Sequence, residues 1–381
     1  MWERATPAPT TVIILNWISE TVVHLGIPAL LEFYRKHRDE ESLVLATIIG
    51  TNGSTYRKPG AMMLISRDGS FEGMISGGCL ESDLLHHAAE VFSEGKPRHI
   101  TYDMHADEEL VWSLGLGCDG IIHLLLQRLD RDDNFSFLEQ LEMSHRARCP
   151  SVFALVANSD GKPTVGTVAL LNQSDISVGD RVLVDVLRQS LGDWPAWRTR
   201  FERITRNGCE IEILLIHLPV QTRVLICGAG PDAVPVARML AELDWEILVV
   251  DHRPAYARED RFPGKCKVIQ ARPRQLAEIM APGEIDAAII MSHHLENDAE
   301  YLRQLAHHDV PYIGVLGPGA RRNRLREMAD CEERAVFGPA GLDIGAELPE
   351  SIALSIVAEM HAVLNQRDGL SLTLQCGDGY E

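Results

Sequence analysis

The chain has 381 residues, 45% of them apolar and 24% charged, the balance of a soluble folded protein with two or three domains. A formal net charge of −19 excludes nucleic acid and anionic membrane as main partners, because both are held by clustered Lys and Arg. No window approaches the ~18 uninterrupted apolar residues of a membrane helix.

Met1 to Pro9 has neither a basic segment nor a small-residue cleavage site behind an apolar core. Cysteines at 79, 118, 149, 209, 227, 266, 331 and 376 form no CxxC pair. They read as thiols of a reducing compartment, so the expected location is cytoplasmic.

Thr11 to about Arg38 is expected as one helix broken near Gly26-Ile27-Pro28. A β-leaning run, Ser42 to Ile49, ends at Gly50-Thr51-Asn52-Gly53-Ser54-Thr55, and Pro59-Gly60 turns the chain into a second run, Ala61 to Ser66. Arg67-Asp68-Gly69 is a hairpin turn into Phe71 to Ile75. There the chain reaches Ser76-Gly77-Gly78-Cys79, followed by a helical stripe of Leu84, Leu85, Ala88, Ala89 and Phe92. Glycines before a helix start can gather N–H groups in one concavity at the positive end of the helix dipole. A thiol there ionises more readily and serves as nucleophile or metal ligand. The alternative is a small buried cysteine behind a tight turn.

A strand near His99 to Tyr102 leads to a second glycine loop, Leu114-Gly115-Leu116-Gly117-Cys118-Asp119-Gly120, and a buried strand, Ile121 to Leu126. Helix follows over Asn134 to His145, then strands at Val152 to Ala157 and Thr164 to Leu170, helix at Val182 to Gln189 and strand at Glu210 to Leu218. Trp194, Pro195 and Trp197 are expected in a loop. This half is a mixed α/β domain, 1–219, with its glycine loops at strand ends.

Past the boundary at Pro219-Val220-Gln221-Thr222, short apolar strands alternate with helices, the pattern of a Rossmann-like, doubly wound parallel sheet over 220–365. Its strands are Arg223 to Cys227, Glu246 to Val250, Cys266 to Gln270, Asp286 to Met291 and Tyr312 to Leu316. Glu350 to Leu364 closes the domain as a helix, and 366–381 is a tail.

Gly228-Ala229-Gly230-Pro231-Asp232-Ala233 sets G-x-G-x-x-A between the first of these strands and a helix, and Asp251 lies 21 residues beyond Gly230. Gly228 makes the tight turn, Gly230 admits a pyrophosphate, and Asp251 accepts hydrogen bonds from a ribose diol. The acid fits NAD or FAD, while Arg253 keeps NADP open. A Rossmann-shaped domain that binds no dinucleotide is the alternative. His293, past the fourth strand, reads as acid/base, metal ligand or loop residue capping the next helix.

These motifs together resemble the XdhC/CoxI family of xanthine dehydrogenase accessory factors. The resemblance rests on Leu45-Ala46-Thr47, Gly53-Ser54-Thr55-Tyr56-Arg57-Lys58-Pro59-Gly60, Ser76-Gly77-Gly78-Cys79-Leu80-Glu81 and Gly115-Leu116-Gly117-Cys118-Asp119-Gly120. In the second half it rests on Gly228-Ala229-Gly230, Val250-Asp251-His252-Arg253, Ser292-His293 with Asp298, and Gly341-Leu342-Asp343-Ile344-Gly345-Ala346. It implies a maturation factor that binds molybdenum cofactor (molybdopterin), keeps it intact while a cysteine desulfurase supplies its sulfido ligand, and delivers it to an apo molybdenum hydroxylase. It further implies that Cys79 and Cys118 flank the cofactor, with Cys79 as metal ligand or sulfur relay and Arg57 and Lys58 on the phosphate or pterin. NAD or FAD remains a candidate ligand of the Rossmann half, and a homodimer is the expected assembly.

The chain departs from the family pattern at Asp119, where the second cysteine loop usually has Gly; a carboxylate there would raise the Cys118 pKa and repel an anionic cofactor. A rival reading is an NAD(P)-dependent oxidoreductase with His293 as acid/base, and the double glycine–cysteine loop is the feature such an enzyme does not need.

Overall fold

The computed structural model describes residues 11–15, 26–78, 80–104, 120–132, 135–190, 199–280 and 284–371. Two compact units divide the chain, Met1–Val220 and Gln221–Glu381.

The first unit opens with β1 (Thr11–Leu15), α1 (Ile27–His37), β2 (Ser42–Gly53), β3 (Met62–Ile65), β4 (Phe71–Gly73), α2 (Glu81–Glu94), β5 (Arg98–Asp103) and β6 (Gly120–Asp130). It continues with α3 (Phe135–Arg146), β7 (Ser151–Ser159), β8 (Val168–Asn172), β9 (Ser177–Gly179), α4 (Arg181–Ser190), β10 (Arg200–Arg206) and β11 (Cys209–Leu218). Two antiparallel sheets result, ordered β4-β3-β2-β6-β5 and β1-β10-β11-β7-β8-β9. Strand alternation sends Leu43, Leu45, Leu125 and Leu129 to one face of the first sheet, where they pack with α1, α3 and the second sheet's Phe153, Leu170 and Leu214. Val44, Ala46, Leu124 and Leu126 face the other way, under Leu84, Ala88 and Val91 of α2. On the second sheet, Leu183 and Leu187 of α4 cover Val152, Ala154 and Ile213.

Three expectations from sequence need correction here. Thr11–Leu15 is not helix but a strand, in register with β10 from Thr11↔Thr205 to Leu15↔Phe201. Its Val-Ile-Ile core is β-branched, and stiff side chains of that kind favour a pleated surface. The strand expected from Thr164 begins at Val168, because Gly166, at φ +81°, turns the chain first. β2 runs past Ile49 to Gly53, because a bulge between Ile48 and Gly50 absorbs the break and pairing with β6 resumes to Gly53↔Gly120. The expected loop around Trp194 and Trp197 lies outside the described residues.

The second unit comprises β12 (Arg223–Cys227), α5 (Ala233–Glu242), β13 (Glu246–Asp251), β14 (Cys266–Gln270), α6 (Leu276–Ile279), β15 (Ala287–Ile290), α7 (Leu295–Ala306), β16 (Tyr312–Val315), α8 (Gly319–Met328) and α9 (Pro349–Leu364). Its sheet is parallel throughout, in the order β14-β13-β12-β15-β16. This is the doubly wound arrangement, with the order reversing between β12 and β15, where such folds open a crevice. Helices α5 and α9 bury Val236, Leu240, Ile356 and Met360 against one face. On the other face α6, α7 and α8 bury Leu276, Leu302, Leu305 and Leu325.

Candidate functional site

In the first unit the site elements converge at one end of the five-stranded sheet. Gly120 opens β6 two positions after Cys118, and a Cβ on it would stand 2.4 Å from the Ser54 carbonyl and 2.7 Å from Thr55. Only glycine lets the β2 tail approach so closely. That tail carries Arg57 and Lys58, with the Thr55 hydroxyl donating to the Arg57 carbonyl at 2.9 Å. Lys58 is exposed; Arg57 is half-buried, and its burial lowers its pKa. At the same end the Met104 N–H donates to the Gly120 carbonyl at 3.2 Å, and Tyr102, paired with Ile122, donates its hydroxyl to Asp83 of α2 at 2.6 Å. The first turn of α2 is thereby held over this edge.

The approach to α2 is organised by Glu81, a residue that belongs to the first glycine–cysteine motif but to which sequence reasoning assigns no role. Its side chain is buried, and its carboxylate accepts the N–H groups of Ile75 at 3.2 Å and Ser76 at 2.9 Å and the Ser76 hydroxyl at 2.6 Å. The Ser76 oxygen in turn accepts the Leu80 N–H at 3.1 Å. Burial alone would raise the Glu81 pKa, but these hydrogen bonds outweigh it and hold the carboxyl below its usual range. A signal for this exists in the sequence: 81, 84 and 88 lie on one helical face, and Leu84 and Ala88 are core.

Between these anchors Gly77 and Gly78 are exposed, Gly78 at φ +105°, with open space where a Cβ would stand. The turn is therefore held at its feet, and no described residue covers its crest. Cys79, Cys118 and Asp119 lie outside the described residues.

The second unit builds its loop differently from expectation. Gly228 makes the tight turn at φ +115°, and a Cβ there would stand 2.7 Å from the backbone of Met291 and Ser292. Gly230, however, has its open side filled: Oδ1 of Asp232 stands 2.5 Å from where its Cβ would be. The other carboxylate oxygen, Oδ2, is 2.7 Å from Nε2 of His293, which is exposed and has a left-handed backbone, φ +62°. Asp251 is 1% exposed. Its oxygens accept the Ala229 N–H at 2.7 Å, the Arg253 N–H at 2.8 Å and the Arg253 guanidinium at 3.0 and 2.7 Å. Burial works against its charge, but Arg253 and the amides keep its pKa below the usual carboxylate range. The acid expected to receive a ribose diol is therefore bound by the chain's own groups, and the Asp232 carboxylate stands beside Gly230, where a pyrophosphate was expected to approach.

Behind His293 a second buried acid, Asp298, accepts the Ser292 hydroxyl at 2.5 Å, the Ser292 N–H at 3.1 Å and the Arg321 guanidinium at 2.7 Å. A cavity of about 420 Å³ opens here, walled by Val236, Met291, Leu316, Ile352 and Ile356. Among the described residues no group of three or more His, Cys, Asp and Glu is placed to hold a metal ion. None of the described helices is long and apolar enough to cross a membrane.

A model of the XdhC and CoxI family matches residues 37–103, and one of the XdhC Rossmann domain matches 224–360. A protein of Bacillus subtilis (strain 168), named as a probable subunit of xanthine dehydrogenase, is 30% identical over 351 residues, spanning 88% of this chain and 96% of that protein. The chain belongs to the XdhC/CoxI family. Another relative, the molybdenum cofactor insertion chaperone PaoD of Escherichia coli (strain K12), is 24% identical over 353 residues, 90% of this chain and 88% of its own. A crystal structure from Bacillus halodurans, described as a xanthine dehydrogenase, superposes with a TM-score of 0.73 at 28% identity, covering 91% of this chain and 98% of that one.

Within this XdhC/CoxI chain, Gly77, Gly78, Arg57 and Lys58 belong to one end of one sheet, whereas Gly228, Gly230, Asp251 and His293 belong to the separate Rossmann unit.

Proposed function

We propose that the protein is a maturation factor for a molybdenum hydroxylase of the xanthine dehydrogenase type, holding molybdenum cofactor as cargo on the glycine–cysteine loops of its first unit. The observation that carries this reading is the turn at Ser76-Gly77-Gly78, clamped by buried Glu81, with both glycines exposed among the described residues. It occurs in a chain 24% identical, over nearly its whole length, to a protein named for molybdenum cofactor insertion. Arg57 and Lys58 supply positive charge to the cargo's phosphate, and Cys79 supplies a soft ligand suited to molybdenum. A cysteine desulfurase provides the sulfur that matures the cargo, and the apo-hydroxylase receives it. The protein works as a cytoplasmic homodimer.

The oxidoreductase reading is disfavoured, because Asp251, the residue expected to hold a ribose diol, is bound by the chain's own groups. The test is reconstitution: purified protein loaded with molybdenum cofactor and mixed with an apo-hydroxylase is expected to restore hydroxylase activity. Cys79→Ala is expected to lose both loading and transfer, and full delivery by that variant would sink the proposal.

A further inference from the structure

We propose that the strand-end crevice of the second unit rejects the pyrophosphate of a dinucleotide and takes an uncharged or cationic aromatic heterocycle, with Asp232 setting that choice. The inference is independent of the cargo reading for the first unit.

A nucleotide fingerprint works by leaving groups free: a bare glycine for the pyrophosphate, loop amides to donate to it, and an acid for the ribose diol. In this chain the acid and one of the loop amides are consumed internally, and a carboxylate stands over the second glycine. The Asp232 carboxylate lies over Gly230, the Ala229 N–H donates to Asp251, and Arg253 takes the remaining Asp251 oxygen positions. The start of α5, where the helix dipole would favour a phosphate, carries a carboxylate of its own. A diphosphate arriving there must displace the Asp232 carboxylate and its contact with His293, and among the described residues it finds no loop cation left unpaired in exchange.

Asp232 also lines a cavity of about 420 Å³ bounded by α5, the ends of β15 and β16, and α9. Asp232, His293, Arg321 and Glu347 form its polar rim. Of the two cationic candidates, His293 is paired with Asp232 and Arg321 with buried Asp298, so the rim offers no uncompensated positive charge to an anion. Apolar walls with a few polar groups at the edge suit a flat body with apolar faces and hydrogen-bonding edges. An aromatic heterocycle without phosphate meets that description, and the volume is adequate for a nucleoside.

The direct test is calorimetric titration of the full chain with adenosine, guanosine, ADP and NAD as probes. At least one nucleoside is expected to bind tenfold or more tightly than ADP and NAD. Asp232→Ala is expected to raise ADP affinity at least tenfold, and Asp232→Asn, which keeps the shape and removes the charge, to do the same. Ile352→Trp, which fills the cavity, should abolish nucleoside binding. Tighter binding of ADP or NAD than of both nucleosides, no binding of either nucleoside, ADP affinity unmoved in both Asp232 variants, or nucleoside binding unaffected by Ile352→Trp would each overturn the proposal.

Discussion

Oε2 of Glu81 accepts the Ser76 hydroxyl at 2.6 Å, and the same side chain's Oε1 accepts the backbone amides of Ile75 and Ser76. A charged acceptor buried at the first turn of α2 thus fixes the path by which the chain enters its first glycine–cysteine loop. The helix contributes its end to this loop, and the carboxylate determines its shape.

Glu81→Gln tests that relationship. The variant keeps a similar shape but exchanges a charge-assisted network for a neutral one, with its carbonyl oxygen on the two amides and its NH2 group facing a Ser76 oxygen that already accepts the Leu80 N–H. Hydrogen bonds to charged groups contribute about 1.5–3 kcal/mol, so a loss of that order is expected in urea denaturation of the full chain. Glu81→Ala, which leaves the Ser76 hydroxyl and both amides without their acceptor, should cost more.

The same carboxylate sets a pH dependence. Its pKa in the folded state is held below the usual carboxylate range by the Ser76 and Ile75 hydrogen bonds, despite burial. A depressed acid contributes stability that is complete above its unfolded pKa and is lost as pH falls through the folded value. Denaturation midpoints followed from pH 7 downward should therefore drop as the pH passes through and below the usual carboxylate range, and less steeply in Glu81→Gln. Parallel acid limbs in the two proteins would contradict this.

A pair of glycine substitutions checks the second unit. Gly228→Ala places a Cβ 2.7 Å from the Met291 and Ser292 backbone at φ +115°, whereas a Cβ on Gly319, at the start of α8, meets nothing within 4 Å. Left-handed strain and overpacking each cost roughly 1–3 kcal/mol, so Gly228→Ala should destabilise the protein by at least about 2 kcal/mol. Gly319→Ala should be neutral or slightly stabilising, because alanine restricts the unfolded chain. Thermal melts of the two variants read the contrast.

Asp251 is expected to behave as a structural clamp. Asp251→Asn takes the charge from a buried acceptor of two amides and of the Arg253 guanidinium; Arg253 is about a third exposed and stays solvated, so the loss expected is that of charge-assisted hydrogen bonds, about 1.5–3 kcal/mol. The loss should show in urea denaturation without any added nucleotide.

Much of the second unit is legible in sequence because it buries its strands on both faces. Arg223–Cys227 is a short apolar run that coincides with the strand as read, and Cys266–Gln270 coincides too, although it is an edge strand with Lys267 and Gln270 exposed. The half-buried strands of the first unit are harder: β10, Arg200–Arg206, buries a charged residue, Glu202, beside Ile204 and reads as polar until its partner β11 is known. Thr11–Leu15 misleads for the opposite reason, since a short apolar run fits helix or strand and only its pairing partner decides. At the sites, spacing locates Gly228, Asp251 and His293 but cannot reveal that Asp232 folds over Gly230 or that Arg253 turns back on Asp251. Fingerprints record where ligand groups would stand, and side-chain occupancy is a matter of three-dimensional packing.

Cys79 and the turn that leads to it are the heart of the cargo reading. Its most direct test is the molybdenum retained per chain after loading with molybdenum cofactor and gel filtration, compared between the unsubstituted protein and Cys79→Ser. Close to stoichiometric retention is expected in the former and a loss of at least tenfold in the variant, whose thermal melt should be unchanged. Equal retention by the two proteins would contradict it.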